Sequence, residues 1–277
     1  MVILQPPYYL SNYIEFFWYT SEETGITDIK RVKLIPDGKH GLIFQQRNGR
    51  SAISEENGNL LPVGFLYGQS SAPFINYIHG AVSVFGVFFK IHAVKEIFKI
   101  DADLIADGFV DLDDLAGYKI NEVLLNLQHP LKIKEYLSAF FWKTLSRYGK
   151  TDKLIEDSIS TIQKRVNDIN INFLYKEYNI SKRQFQRRFK ERAGIHLGTF
   201  IRVLKFQKSL QLLHINKFEK LSDIAYSLGY ADQSHYTRDF RSFTGYTPKD
   251  VLKKHIIIPE NTITAHPLLQ TRRHIYF

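Results

Sequence analysis

The chain of 277 residues contains no cysteine. That excludes disulfides, a thiolate nucleophile and every zinc site built on sulfur. It also excludes an alkyl-transfer repair enzyme, whose chemistry runs through a thiolate. Long apolar runs are missing too. The stretch around Val82–Phe89 is among the longest and falls well short of the roughly 18 residues a membrane helix needs. The N-terminus, MVILQPPYYL, has no basic segment and no small-residue cleavage site, so no secretory signal is expected. Glycine motifs that cradle nucleotide phosphates are absent. His40, His79 and His92 form no His-x-His pair beside a carboxylate, so no metal and no other cofactor is expected. Asp101, Asp103, Asp107, Asp111, Asp113 and Asp114 lack calcium-loop spacing and read as a solvated helix face with caps. The expectation left standing is a soluble, cytoplasmic chain that is not an enzyme and touches no membrane. Its 44% apolar and 14% aromatic content is enough for packed cores, and its length suits two ordinary domains.

The net charge of +9 is unevenly placed. Residues 1–150 hold 15 Lys+Arg against 16 Asp+Glu, whereas residues 151–258 hold 20 against 11 and residues 259–277 hold 2 against 1. The excess therefore sits in one segment, as in a module that binds a polyanion.

That segment contains SDIAYSLGYADQSHYTRDFRSFTGYTP, residues 222–248. Tyr236, Phe240 and Phe243 fall at i, i+4, i+7, one stripe of a helix, with Ser234, Thr237, Arg238 and Arg241 on the opposite face. Asp232 reads as the cap at the start and Gly245 as the left-handed residue at the end. Thr247, Pro248 and Asp250 read as cap, first-turn proline and capping box of a further helix. A second copy lies 51 residues upstream, SKRQFQRRFKERAGIHLGTF at 181–200. There Phe185, Phe189 and Ala193 form the apolar stripe, Ser181 and Gln184 a capping box, and Lys182, Arg183, Gln186, Arg187 and Lys190 face out. Each copy follows a short helix, near 171–178 and 221–228, through a turn at Asn179 or Gly229. Between the copies, residues 197–215 read as one helix that holds two reading heads apart. Two basic helix–turn–helix units on a rod point to duplex DNA.

At these residues, over 155–254, the sequence resembles the AraC/XylS family of bacterial transcription regulators. The resemblance implies a seven-helix domain with two helix–turn–helix units. It places Arg183, Gln186 and Arg187 of the first reading helix, and Gln233, Ser234, His235 and Arg238 of the second, at base edges. Lys182, Arg188 and Thr237 are placed at phosphate. The residue chemistry agrees, since Arg suits guanine and Gln adenine, while hydroxyls and lysines suit the backbone. The family usually has alanine where this chain has Tyr175, the counterpart of Ala225. A bulky ring there predicts a re-packed first unit.

In residues 1–130 the segments RVKLI, HGLIFQQ, GFLYGQ, FINYIHG and VSVFGVFFK read as strands. YIEFFWYT, IPDG and FVDLDDLAG resemble the β-rich N-terminal domain of some AraC-type regulators. The fold class expected is α+β: a barrel-like or sandwich N-terminal domain (1–130), a helical linker region (131–154), an all-α DNA-binding domain (155–258) and a tail (259–277). In 131–148, Ile133, Leu137, Phe140, Phe141 and Leu145 lie close to one face, which suits packing on its own β domain or on a second copy. Trp18, Phe44, Phe65, Tyr67 and Phe85 are the candidates to line a small-molecule pocket, although each taken singly reads as plain core. Beyond duplex DNA, the candidate partners are RNA polymerase, a small-molecule effector and a second copy of the chain. A ligand-independent regulator that only dimerises, and a non-specific architectural DNA binder, are the rival readings.

Overall fold

A computed structural model describes residues 1–22, 28–148, 152–215 and 218–254. The 259–277 tail lies outside the described residues. The strands are β1 (Val2–Leu4), β2 (Ile14–Glu22), β3 (Ile29–Leu34), β4 (His40–Gln46), β5 (Ile53–Glu55), β6 (Gly64–Tyr67), β7 (Phe74–His79), β8 (Val82–Phe89) and β9 (Phe109–Asp111). One antiparallel sheet runs β1-β2-β8-β4-β6-β9 and a second runs β3-β7-β5. The five segments expected as strands are all present. The short strands β1, β5 and β9 were not legible, because three residues carry no period.

The larger sheet is buried on both faces. Phe17, Phe44, Phe85 and Phe89 meet helices α1 (Ala93–Phe98), α3 (Ile120–Leu127) and α4 (Pro130–Tyr148), with the short α2 (Leu112–Ala116) beside them. On the other face Trp18, Ile43, Phe65 and Phe88 meet Val32, Ile53 and Ile78 of the smaller sheet. Double burial explains why VSVFGVFF reads as an apolar run and not as an alternation. The Trp18 indole lies over Gly86, its partner in the β2–β8 register, and a Cβ on that glycine would sit 2.1 Å from the ring. Any other residue there would push the two strands apart.

Helix α4 buries Ile133, Leu137, Phe141 and Leu145 in the core shared with the larger sheet. Of the two partners left open by the sequence, its own β domain takes this face. Phe141 lies edge-on to Phe89 and Phe98, 5.5 and 5.9 Å between ring centres, and its truncation to alanine would cost about 3–5 kcal/mol.

The C-terminal half is helical: α5 (Lys153–Lys164), α6 (Ile171–Glu177), α7 (Lys182–Ala193), α8 (Leu197–Ile215), α9 (Leu221–Ser227), α10 (Gln233–Thr244) and α11 (Pro248–Lys254). Helix α8 is the rod anticipated over 197–215, about 28 Å long at its 19 residues. Leu197, Phe200 and Ile201 join the core of α5, α6 and α7, while Val203, Phe206, Leu210 and Leu213 join that of α9, α10 and α11. Among the described residues no helix is long and apolar enough to cross a membrane.

The halves are locked together. Ile91 of the N-terminal half belongs to the first helical core, and Ile35 packs on the second. Lys95 of α1 pairs with Glu191 of α7 at 2.6 Å, and Lys190 of α7 reaches Asp103 at 3.0 Å. These contacts revise two expectations. Lys190 does not simply face out, and the acidic cluster is solvated only in part, with Asp107 and Asp114 exposed and Asp101, Asp103, Asp111 and Asp113 half-buried. Asp101 pairs with Lys95 and Asp103 with Lys190, Asp107 accepts from the Ser71 hydroxyl, and Asp111 caps α2. Only the last role had been read from sequence.

Candidate nucleic-acid interface

The second unit is built as its spacing predicts. Tyr236, Phe240 and Phe243 are buried and pack with Phe206 of the rod. The Asp232 carboxylate accepts from the His235 backbone N–H at 2.7 Å and starts α10, and Gly245 ends it at φ 79°. The Thr247 hydroxyl accepts from the Asp250 N–H at 3.1 Å while the Asp250 carboxylate accepts from the Thr247 N–H at the same distance, closing the capping box. With its apolar stripe so fixed, α10 leaves Gln233, Ser234 and Arg238 exposed, with His235 and Thr237 half-buried beside them. The Tyr230 ring stands edge-on to the His235 imidazole at 5.2 Å, which limits where that ring can point.

Two residues that complete this unit were missed. Asp239 is buried on the flank of the apolar stripe and accepts from the Arg202 Nε of α8 at 3.0 Å. The Arg202 guanidinium also lies over the Phe243 ring, 5.3 Å from its centre. This pair clamps the reading helix to the rod. The signal was present in the sequence: a carboxylate between Tyr236 and Phe240 has no reason to be buried without a cation.

The first unit differs in detail. Helix α6 is capped by Asn170, the turn passes through Asn179 at φ 45°, and Ser181 caps α7 by accepting from the Gln184 N–H at 3.2 Å. Only that half of the expected capping box forms, because the Gln184 side chain meets the Ser181 hydroxyl and not its backbone N–H. Lys182, Arg183, Gln186 and Arg187 are exposed on one side of α7. Arg187 is steadied by Glu191 one turn on, at 3.1 Å, and Glu191 is the same carboxylate that Lys95 holds from the N-terminal half.

Arg188 stands apart from this set. Its Nε donates to Asp152 Oδ2 at 2.9 Å, and its second nitrogen donates to the other carboxylate oxygen. Arg192 holds the same carboxylate at 3.2 Å. Burial would raise the Asp152 carboxyl, but the two guanidinium groups outweigh it and hold the group below its usual range. The structure therefore spends Arg188 on joining α7 to the start of α5, on the flank of the helix away from Arg183.

Tyr175 answers the expectation of a re-packed unit. Its counterpart Ala225 is fully buried, but the Tyr175 ring is half-buried and edge-on to Phe185 at 5.2 Å. Burial raises the phenol pKa, and a hydrogen bond with the Gln186 side chain acts in the opposite direction. The ring is thus accommodated at the rim, where it positions an outward-facing glutamine.

The aromatic pocket candidates separate along the pleat. Phe65 and Tyr67 line a cavity of about 380 Å³ between the two sheets. Trp18, Phe44 and Phe85 do not. Phe44 and Phe85 point to the helix-covered face, and Trp18 packs over Gly86 and beside Phe88. Alternation on one strand sends neighbours to opposite faces, so β4 offers the cavity Ile43 in place of Phe44. The three histidines lie in separate surroundings. His79 meets the Ser54 hydroxyl at 2.8 Å and His92 approaches Glu156 at 3.7 Å. His40 is fully buried, and burial lowers its imidazole pKa to about 4, against the opposing pull of the Arg192 and Ala193 backbone at the end of α7.

Residues 174–254 match the family described as a helix-turn-helix domain, and residues 3–111 match a family described as a domain of unknown function. The chain is similar to the F1 operon positive regulatory protein of Yersinia pestis, 36% identical over 81 residues, which are 29% of this chain and 27% of that protein. It is also similar to the HTH-type transcriptional activator RhaS of Escherichia coli, 25% identical over 139 residues, 50% of this chain and 48% of that one. The chain thus spans about half or less of the length of these curated relatives. Among solved structures, ToxT of Vibrio cholerae overlaps 86% of this chain and 98% of its own at a TM-score of 0.45 and 13% identity.

Proposed function

With residues 174–254 belonging to the AraC-type helix-turn-helix regulators, we propose that this protein binds DNA sequence-specifically and regulates transcription, as an activator, under control of its N-terminal half. The observation that carries this reading is the pairing of two exposed polar and basic helix faces, on α7 and α10, with one rigid rod that belongs to both cores. Arg183, Gln186 and Arg187 on the first face, and Gln233, Ser234, His235 and Arg238 on the second, are assigned to base edges. Lys182 and Thr237 are assigned to phosphate. Arg188 is left out of the phosphate set because Asp152 occupies it. Activation follows the names of the two regulatory relatives, one a positive regulator and one an activator. A small-molecule effector in the N-terminal half, contact with RNA polymerase and self-association remain parts of the same proposal.

The test is genome-wide mapping of DNA bound by the full chain, followed by competition between recovered and random duplexes. Specific binding should exceed random binding by about 10³-fold or more. Six to ten phosphate contacts should cost about 10³–10⁵ in affinity between 50 and 200 mM salt. No enrichment together with a flat salt response would remove DNA as the partner. Enrichment without sequence preference would leave an architectural binder.

A further inference from the structure

Asp239 is a buried carboxylate with one oxygen committed and the other open. Arg202 of α8 turns both its Nε, at 3.0 Å, and a terminal nitrogen, at 2.8 Å, to Oδ1. Oδ2 is buried and accepts no hydrogen bond of normal geometry. The Nε2 of His235, one turn earlier on α10, stands 4.0 Å from this oxygen. That is about 1 Å beyond a hydrogen bond. The last torsion of a histidine side chain is broad, so a small turn of the imidazole closes the gap. A buried carboxylate oxygen without a donor costs free energy, and that cost draws the ring inward.

The other charged and titratable groups around Oδ2 are accounted for. Arg202 is held at Oδ1 and lies over Phe243. Lys205 of α8 donates to the Gly229 carbonyl at 3.0 Å and lies over the Tyr230 ring. The Tyr230 hydroxyl is buried, and burial, followed by the Asp239 charge, raises its pKa, so it stays a phenol and is the rival donor. An ionised carboxylate oxygen has room for two donors. The Tyr230 ring also stands edge-on to His235 and holds the plane of the imidazole. The His235 side chain is left 45% exposed, beside the outward-facing Gln233, Ser234 and Arg238.

We propose that Asp239 is a positioning residue that fixes the tautomer of His235: Nε2–H turns inward to the carboxylate, and Nδ1 meets the DNA as a bare acceptor. The base it takes is then one that offers an exocyclic amine in the major groove, adenine through N6 or cytosine through N4. Guanine and thymine offer only acceptors there and are rejected. The inference rests on the DNA reading proposed above and names the base chemistry at one of its contacts. A neutral imidazole has one donor and one acceptor nitrogen, and the partner of the first decides what the second can do. The opposite tautomer would turn a lone pair toward the carboxylate and leave Oδ2 without its donor.

The test begins with the full chain at pH 8.0, isotope-labelled at the imidazole nitrogens of its ten histidines. Long-range proton–nitrogen NMR spectra, with His235→Gln supplying the assignment, should show His235 protonated at Nε2 and bare at Nδ1. A proton on Nδ1 instead overturns the proposal. Asp239→Leu removes the acceptor and should let both tautomers appear, and an unchanged spectrum would overturn the role of Asp239. Binding is then measured on a recovered site, varied at the base pair whose preference disappears in His235→Ala. Wild type should favour adenine or cytosine about tenfold over guanine or thymine, and Asp239→Leu should cut that ratio to about twofold. Arg202→Gln breaks only the clamp, so it should lower stability and keep the ratio. A ratio lost equally in those two variants makes Asp239 purely structural, and one lost in Tyr230→Phe gives its role to the phenol. Either result overturns the proposal, as does a guanine or thymine preference in wild type. The two readings fail separately. The wrong tautomer beside intact specific binding sinks only this inference, whereas the expected tautomer with no sequence preference at all sinks the DNA reading and the base assigned under it.

Discussion

The Lys33 ammonium of β3 donates to the Thr244 carbonyl oxygen at 2.7 Å across 211 positions of sequence. Thr244 is the last residue of α10, so a strand of the N-terminal half caps the second reading helix. Helix C-termini leave carbonyls without intrahelical donors and carry partial negative charge, which a lysine satisfies. Lys33 also lies over the Tyr246 ring, 5.0 Å from its centre. Lys33→Met should therefore cost about 1 kcal/mol in denaturant unfolding. Amide exchange in 241–246 should quicken, and an unchanged exchange rate would mean the cap is not populated in solution.

Arg238 carries the prediction for base reading. It is exposed on α10, opposite the buried Tyr236, Phe240 and Phe243, and serves no core. Arg238→Ala should lose about 1–3 kcal/mol on the cognate site and relax preference at one base pair. Binding to random DNA should fall much less. Lys182→Ala should weaken all sequences alike and reduce the salt slope by about one. Equal losses on specific and random DNA for Arg238→Ala would make that residue a phosphate clamp.

Arg188 should behave as a structural residue. Arg188→Ala leaves the Asp152 carboxylate with Arg192 at 3.2 Å, and should lower stability by about 1–2 kcal/mol. The slope of log affinity against log salt should not change. A slope reduced by about one, with stability intact, would return Arg188 to the DNA backbone.

Asp37 sets a pH dependence. Its carboxyl is raised from 3.8 to about 6, chiefly by burial, with the Lys39 backbone and charge opposing and Glu15 reinforcing. A raised carboxyl binds its proton more tightly when folded, so its contribution to stability falls as pH rises from about 4 to about 6. Above that window the ionised group costs on the order of 3 kcal/mol. Asp37→Asn should gain stability over wild type through the same window and hold the gain at pH 7 to 8. Unfolding midpoints at pH 4, 5, 6 and 7 check it, and parallel curves for the two proteins would place Asp37 in ordinary solvent.

What the sequence made legible follows its periodicities. The stripes Tyr236–Phe240–Phe243 and Phe185–Phe189–Ala193 gave both reading helices and their outward faces, because a buried stripe of a helix leaves only one arrangement for the rest. Strands β3, β4, β6, β7 and β8 declared themselves through their patterning and flanking breakers, whereas β2, the longest, entered only through the resemblance carried by YIEFFWYT. The aromatic candidates were less tractable. Phe65 and Phe44 look alike in composition, and only the pleat and the register decide that one meets the cavity and the other α-helices. Contacts between the halves were beyond reach. Lys33 with Thr244, Lys95 with Glu191 and Gln207 with Pro36 join residues about 100 to 200 positions apart, and no local pattern encodes such a pair.

On the proposed function, the rod between the two helix–turn–helix units constrains the DNA sites the chain would bind. Its first turns belong to one core and its last to the other, so the two heads share one helical phase. One residue inserted near the middle of α8 would turn the second head by about 100° and advance it about 1.5 Å. One base pair inserted between two DNA subsites turns the second by about 35° and moves it about 3.4 Å. Three base pairs would nearly restore the angle but leave the heads about 9 Å out of step. Under the proposed DNA reading, bound sites should therefore vary in their letters while keeping the length between their two contacted segments fixed.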